Sequence, residues 1–331
     1  MTKEFINKTN YFILTGGPGS GKTTTLNELA HRGFLTVPEV ARTIIQKQNA
    51  TEGKATHTGD RAAFRDLMLE HSIDDYKKVN TERYAVFFDR GIPDLYGYSK
   101  AFCSEISESI TQSIAQFRYN QLVFIFPPWQ EIYEQDKERK QDFQEAIFTY
   151  IALKEAYADC GYHVVEMPIL SMKLRVDFIL KTVTETCLAN LKNDINQLLG
   201  FHEDTPRINY GPCGIFAKLF FDAWNNRFKD KVHIVFIMMR SQEECWHIAI
   251  RLPTGELYDG GIGIHTDEAY NSMYTIEDML LYDHARLEKW SYGLDRDYPR
   301  FCPDFNKETI DALIQSHLNC FTSRDDANDK N

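Results

Sequence analysis

Short apolar runs alternate with longer amphipathic segments through the first half of the chain. Tyr11–Thr15 (YFILT), Phe34–Val37, Tyr84–Phe88 (YAVFF), Leu122–Phe126 (LVFIF) and Tyr162–Val165 have the length and continuity of buried strands. Between them Thr23–His31, Asp60–Val79 and the charged stretch Glu131–Ala158 carry helical spacing. Strand and helix in alternation predict an α/β domain on a parallel sheet with helices on both faces. The polar stretch Gln46–Gly59 predicts a loop long enough to cover a bound acceptor.

The texture changes at Gly200. A helical pattern runs without Gly or Pro from Met172 to Leu199, then Thr205–Pro212 is punctuated by Pro and Gly. A helix follows at Cys213–Asn225, then a strand at Val232–Met238. A hairpin joins His247–Leu252 to Glu256–Tyr258 through Pro253-Thr254-Gly255, and Asp267–Cys320 mixes helix with irregular structure. A chain of 331 residues exceeds one ordinary core. Two domains are expected, 1–190 and 200–331, the second of α+β type.

Composition narrows the function classes. The hydrophobic content of 43% is that of a folded protein, and the net charge of −11 makes nucleic acid a poor partner. Seven cysteines (Cys103, Cys160, Cys187, Cys213, Cys245, Cys302, Cys320) without a CxxC suggest neither a disulfide framework nor a zinc knuckle. The longest apolar stretch, Ile234–Met239, is too short to span a bilayer, and MTKEFINKTNYF has no apolar signal core. The expectation is a cytoplasmic protein without a transmembrane segment, export by a signal of another kind being left open.

The strongest motif is Gly16-Gly17-Pro18-Gly19-Ser20-Gly21-Lys22-Thr23, which fits GxxxxGK[ST] between a strand and a helix; Thr24 lies in the same first turn. Its glycines allow successive amides to turn toward phosphate oxygens, and the helix start adds partial positive charge. Lys22 is then placed for the β and γ phosphates and Thr23 for Mg²⁺. Many activities use this cradle, so its surroundings decide. Glu39, past the second strand, and Asp89, ending YAVFF, project at the carboxyl edge of the sheet, where ligands bind. Asp89 is a metal-side carboxylate, and either Glu39 or Asp89 is a base for an acceptor hydroxyl. Asp136, Lys137, Arg139 and Lys140 have the character of a basic lid, Arg139 being the catalytic candidate. A solvated helix charge is the plain alternative for Arg139, and an ion pair with Glu39 for Arg42.

The stretches GGPGSGKTTTLNEL, PEVAR, FFDRGIPD and GYHVVEMP, spanning residues 10–185, resemble the AAA_28 group of P-loop proteins, which is similar to the kinase part of NadR and to deoxynucleoside kinases. The resemblance implies a kinase-like nucleotide fold with nucleosides and nicotinamide riboside among the wider group's substrates. It also implies a rival, because an animal member binds GTP and phosphoinositide. No guanine-reading NKxD follows the phosphate loop, which favours ATP over GTP, and no sensor-arginine lid of a motor is present in the second half.

In the second half, Pro212-Cys213-Gly214 puts a cysteine at a helix start, where amides and the dipole lower a thiol pKa and supply an oxyanion hole. His247 opens one hairpin strand and Asp259 closes its partner, so the pairing can set base beside carboxylate. Residues 205–265, around PCG, CWHIAI and LYDGG, resemble the papain-like core of transglutaminases, arylamine acetyltransferases and amidases. The resemblance implies Cys213 as nucleophile, His247 as general base and Asp259 as its orienter, acting on a peptide or other amide. The family's oxyanion glutamine is replaced by Arg207, Asn209 and Tyr210, of which Asn209 is the substitute. Cys245, two residues before His247, is expected on the same face as a competing thiol. Each residue also has a plain reading: a small buried thiol, a hydrogen-bonded strand histidine and a turn aspartate.

Three functions stay open: phosphoryl transfer to a small hydroxylated acceptor, nucleotide binding that regulates the other half or a partner, and thiol-based amide chemistry.

Overall fold

A computed structural model describes residues 5–103, 105–132, 143–240, 244–280, 283–292 and 305–328. The chain divides into two compact units, Met1–Lys181 with Ser323–Asn331, and Thr182–Thr322.

The first unit holds β1 (Tyr11–Gly16), α1 (Lys22–His31), β2 (Leu35–Val37), α2 (Ala41–Ala50), α3 (Arg61–Val79), β3 (Val86–Asp89), α4 (Ile92–Phe102), α5 (Glu108–Gln116), β4 (Leu122–Phe126), α6 (Phe143–Asp159) and β5 (His163–Glu166). Helix α7 (Met172–Leu199) begins in this unit and continues into the second, ending at Gly200, whose φ of +72° a β-carbon would strain. All five strands are parallel in the order β2-β3-β1-β4-β5, so the strand before the phosphate loop lies at the centre. Every residue of β1, β3 and β4 is buried, which is why these strands read as unbroken apolar runs. Tyr11, Ile13, Val86, Phe88 and Val123 pack on one face against Phe64, Met68 and Tyr76 of α3 and Ile92 and Leu95 of α4. Alternate residues Phe12 and Phe87 stack 5.5 Å apart on the other, the side of α1. Arg324 N donates to Gly33 O at 2.9 Å, tying the last turn to this unit.

The second unit holds α8 (Cys213–Asn225), β6 (His233–Met239), β7 (Glu244–Arg251), β8 (Leu257–Asp259), β9 (Gly263–His265), β10 (Tyr274–Asp278), α9 (His284–Tyr292) and α10 (Lys307–Asn319). Its strands form an antiparallel sheet in the order β9-β8-β7-β6-β10. Phe216 and Phe220 of α8 meet Tyr258 at ring distances of 6.2 and 5.1 Å, and α9 and α10 flank α8. Among the described residues no disulfide forms and no helix is long and apolar enough to cross a membrane.

Several expectations are corrected. Gln46–Ala50 is the end of α2 rather than loop, because helical packing of Ile44 carries the helix on to Ala50. Helices α4 and α5 go beyond the elements expected of Ile92–Gln116, although Gly91 and Pro93 mark a helix start. Within Asp267–Cys320, β10 pairs with β6 along its length, a long-range partnership that local sequence does not advertise. The stretch Glu131–Ala158 is helical from Phe143, and the lid residues Asp136, Lys137, Arg139 and Lys140 lie outside the described residues.

Candidate functional sites

In the first unit the β1–α1 turn is shaped by glycine. Gly16, Gly19 and Gly21 have φ of +139°, +69° and +85°. A β-carbon on Gly16 would stand 2.5 Å from Phe126 O, and one on Gly17 2.8 Å from Ala146 O. The helix opens at Gly21 with no side-chain cap and no acidic residue in its first turn, leaving its amides for an anion. Ser20 Oγ donates to Gly17 O at 2.9 Å, and Lys22 Nζ donates to Gly16 O and Gly17 O at 3.1 and 3.0 Å. The buried ammonium thus lies folded over the loop it would share with phosphate.

The neighbouring strand end brings Asp89 to Thr23, whose hydroxyl donates to Asp89 Oδ2 at 3.4 Å. Asp89 is 7% exposed and its Oδ1 has no hydrogen-bond partner among the described residues. Burial pushes its carboxyl up against the pull of Lys22, and Glu39 adds to the rise. A hydroxyl and an orphaned carboxylate oxygen suit Mg²⁺, which takes few protein ligands and otherwise water and phosphate oxygens. No group of three acidic, His or Cys side chains that could hold a metal occurs among the described residues.

Glu39 belongs to a different constellation. Its Oε1 accepts from Arg90 Nε at 2.8 Å, while Arg90 Nη1 donates to Asp94 Oδ1 at 2.8 Å. Thr15 Oγ1 also donates to Asp94 Oδ1 at 2.6 Å, and Gly91 N and the Tyr157 hydroxyl donate to Oδ2. Burial opposes the Arg90 charge, but Glu39 and Asp94 outweigh it and hold the guanidinium ionised. Arg90 sits at φ +75°, a left-handed strain that this network over-determines. Arg90, Asp94 and Tyr157 are not among the residues singled out from sequence; the first two lie in FFDRGIPD, where their spacing of four was the available signal. The Arg42 side chain lies outside what the structure describes.

Arg175 is a further residue that sequence reasoning misses. It is 5% exposed, donates to Ser20 O at 3.1 Å, and its guanidinium lies over the Trp129 ring at 4.6 Å. Among the described residues no carboxylate meets it and its Nε has no partner, and burial lowers its pKa. A buried cation against the phosphate loop, 155 positions away in sequence, leaves no local signal.

Beside this loop a cavity of about 140 Å³ opens among Pro18, Glu39, Arg90 and Asp94 at one side and α3, α4 and α6 around it. His57, from the loop after α2, lines it.

In the second unit Cys213 is the first residue of α8 and is 2% exposed. His247 Nε2 lies 3.1 Å from Asp259 Oδ2. Burial works against a charged imidazole, yet hydrogen bonds with Asp259 and Cys213 outweigh it and raise His247 to about 10. Asp259 resists burial in the opposite sense: His247, the amides of Gly261 and Ile262 at 2.8 and 2.7 Å, and Asn209 hold its carboxyl well below the usual carboxylate range. The three predicted residues are therefore brought together. Asn209 is not aimed at an oxyanion; its Nδ2 donates to Asp259 Oδ1 at 3.0 Å. Cys245 is not on the face of His247, because a bulge pairs His247 with Ile237 and Cys245 with Met238, two adjacent residues that point opposite ways. Tyr270, whose hydroxyl is pushed up by burial and by Asp259 and Cys213, stands at the same place and carries no signal in the sequence.

None of the curated proteins matches the chain. Among solved structures it is similar to the NadR protein in complex with NR, at 20% identity over 53% of this chain and 51% of that one, TM-score 0.42. It is similar to thymidylate kinase from Ehrlichia chaffeensis at 15% identity, over 53% and 98% of the two chains, TM-score 0.37. Shikimate kinase from Aquifex aeolicus gives 16%, 54%, 98% and 0.35 in the same order. The chain spans about half the length of the NadR chain it matches. The family match ends before the second unit, and none of these comparisons supports the papain-like resemblance of residues 205–265. The first unit, with GGPGSGKT at the end of its central parallel strand, is a P-loop α/β domain whose residues 11–175 match the AAA domain family AAA_28.

Proposed function

We propose that the first unit transfers a phosphoryl group from a nucleoside triphosphate to a small hydroxylated acceptor. The reading is carried by one juxtaposition: the phosphate loop with Lys22 stands beside the Thr23–Asp89 pair and beside a cavity that Glu39 helps to line. Phosphoryl transfer needs positioning and charge neutralisation more than covalent help. The loop amides and Lys22 hold the β and γ phosphates, Thr23 and Asp89 hold Mg²⁺, and Arg175 adds positive charge at Ser20. Bound Mg²⁺ would neutralise charge on the phosphates. The acceptor oxygen forms the new bond to the γ phosphorus, the bond to the β–γ bridging oxygen breaks with its electrons left on the diphosphate, and the hydroxyl proton passes to Glu39. The absence of NKxD makes ATP the base case. Acceptor-dependent ADP production that disappears in Lys22→Ala tests the reading. Triphosphate binding without turnover on any acceptor would replace it with a regulatory nucleotide module.

A second activity is favoured by the Cys213–His247–Asp259 grouping, which supports thiol chemistry on an amide by the second unit. Cys213 would attack the carbonyl carbon, His247 would give its proton to the leaving amine, and water or another acceptor would release the thioester. Rapid iodoacetamide labelling of Cys213 near neutral pH, lost in His247→Ala, tests this.

A further inference from the structure

We infer that Asn209 is a positioning residue of the second unit's thiol site, holding Asp259 so that its one remaining oxygen serves His247 and not His265. The consequence for catalysis rests on the thiol reading of Cys213, His247 and Asp259, while the positioning itself is read from the geometry around the carboxylate.

Asp259 is fully buried and stands between two imidazoles. His247 Nε2 lies 3.1 Å and His265 Nε2 4.0 Å from the same oxygen, Oδ2. The His265 ring is kept close by its other contacts. Its Nδ1 donates to Gly263 O at 2.9 Å, since a carbonyl only accepts, and its Nε2 lies 3.3 Å from the Tyr270 hydroxyl. A small rotation of the carboxylate therefore decides which imidazole it serves. Cys213, Tyr258 and Tyr270 are the other titratable groups that face this cluster.

The opposite oxygen fixes that rotation. Three donors converge on Oδ1: Gly261 N at 2.8 Å, Ile262 N at 2.7 Å and Asn209 Nδ2 at 3.0 Å. The two amides belong to the turn that follows Asp259, so they shape the turn without setting where the carboxylate points relative to the thiol. Asn209 comes from the segment that leads into α8, whose first residue is Cys213. It is the donor that ties the acid to the start of the thiol's own helix.

The place of Asn209 is built for it. A β-carbon on Gly261 would stand 2.7 Å from the Asn209 Cγ, Nδ2 and Oδ1, so only glycine lets the amide lie against the turn. From α7, Asn196 Nδ2 donates to Gly261 O at 2.8 Å and anchors the same turn. Asn209 Oδ1 is shielded from solvent and has no hydrogen-bond partner among the described residues. Turning the amide over would set that oxygen against the carboxylate, so Nδ2 is the atom that faces Asp259. A side chain that leaves its own acceptor unmade gives the fold little, which places its value in the carboxylate it orients.

Three measurements on the full chain test this: an imidazole NMR titration of His247, the pH profile of Cys213 alkylation by iodoacetamide, in which sulfur displaces iodide, and thermal melting. In Asn209→Ala the His247 titration should fall from about 10. Alkylation on the acid limb of the profile should slow about tenfold, the scale of one hydrogen bond to a charged group, and melting should move little. Gly261→Ala, whose methyl displaces the amide, should repeat that pattern. Adding His265→Phe to Asn209→Ala should regain most of the lost rate, because the competing ring is gone. An unmoved His247 titration in Asn209→Ala, a rate lowered equally at every pH, or a double variant no faster than the single one overturns the inference. Wild-type Cys213 labelled no faster than Cys103 removes the thiol reading, and a His247 titration that still falls in Asn209→Ala then upholds the positioning alone.

Discussion

Asp259→Asn probes the second unit most sharply, because the two residues have one shape and differ in charge. The substituted amide keeps an oxygen for the backbone N–H groups of Gly261 and Ile262, so the turn is retained, but the change withdraws the carboxylate 3.1 Å from His247 Nε2. In the wild type His247 titrates at about 10 against an ordinary 6.5, with burial opposing the charge and Asp259 the first of the groups that overcome it. At about 1.4 kcal/mol per pH unit, that gap corresponds to stabilisation of the imidazolium on the order of 5 kcal/mol, shared between Asp259 and Cys213. With the carboxylate gone, burial regains the upper hand and the imidazole is expected to be neutral at pH 7. The sign of the stability change follows. A raised His247 contributes fully below about 6.5 and loses that contribution as pH rises through about 10. A depressed Asp259 contributes above the ordinary 3.8 and loses it on acidification. The stability difference between wild type and Asp259→Asn should therefore be greatest between about pH 4 and 6.5 and shrink toward pH 10. Urea denaturation across that range measures it, and an imidazole NMR titration reads His247 directly. An imidazole titrating near 6.5 in the wild type, or one that does not move in Asp259→Asn, would refute the reasoning.

In the first unit, Lys22→Ala should abolish the melting shift given by Mg²⁺·triphosphate, which at a hundredfold excess over Kd amounts to about 2.7 kcal/mol for the wild type; an unchanged shift would remove the lysine from phosphate binding. Gly16→Ala combines φ +139° with a 2.5 Å approach to the Phe126 carbonyl, and thermal melting should show a loss of about 1–3 kcal/mol. Arg175→Met removes a buried charge that no carboxylate among the described residues meets, so urea denaturation of the ligand-free protein should show it no less stable, while calorimetry gives triphosphate affinity about tenfold weaker. Asp94→Ala takes the acceptor from Thr15, Tyr157 and Arg90 Nη1 at once while Glu39 keeps Arg90 Nε, and a loss of about 2–4 kcal/mol is expected on denaturation.

The sequence by itself determined the elements whose information is local. Strands buried on both faces must be continuous apolar runs, so β1 and β4 were legible, and the phosphate loop declared itself because GGPGSGKT needs only its own glycines and the helix that follows. Cys213 at a helix start and Asp259 at a strand end were legible because those are local features, whereas His247 stands inside β7 rather than opening it as its sequence suggested. Tertiary structure alone decided which partners these residues found. Glu39 is bound to Arg90 from a different strand, Asn209 serves Asp259 rather than an oxyanion, and the bulge in β7 turns Cys245 away from His247. Arg175 reaches Ser20 only because the fold closes a long loop of chain, and the cavity exists only where α3, α4 and α6 meet. Backbone propensity and burial pattern act over a few residues and are written in order along the chain. Charge pairing, strand register and cavity shape depend on distances between remote segments, and those are set when the core packs.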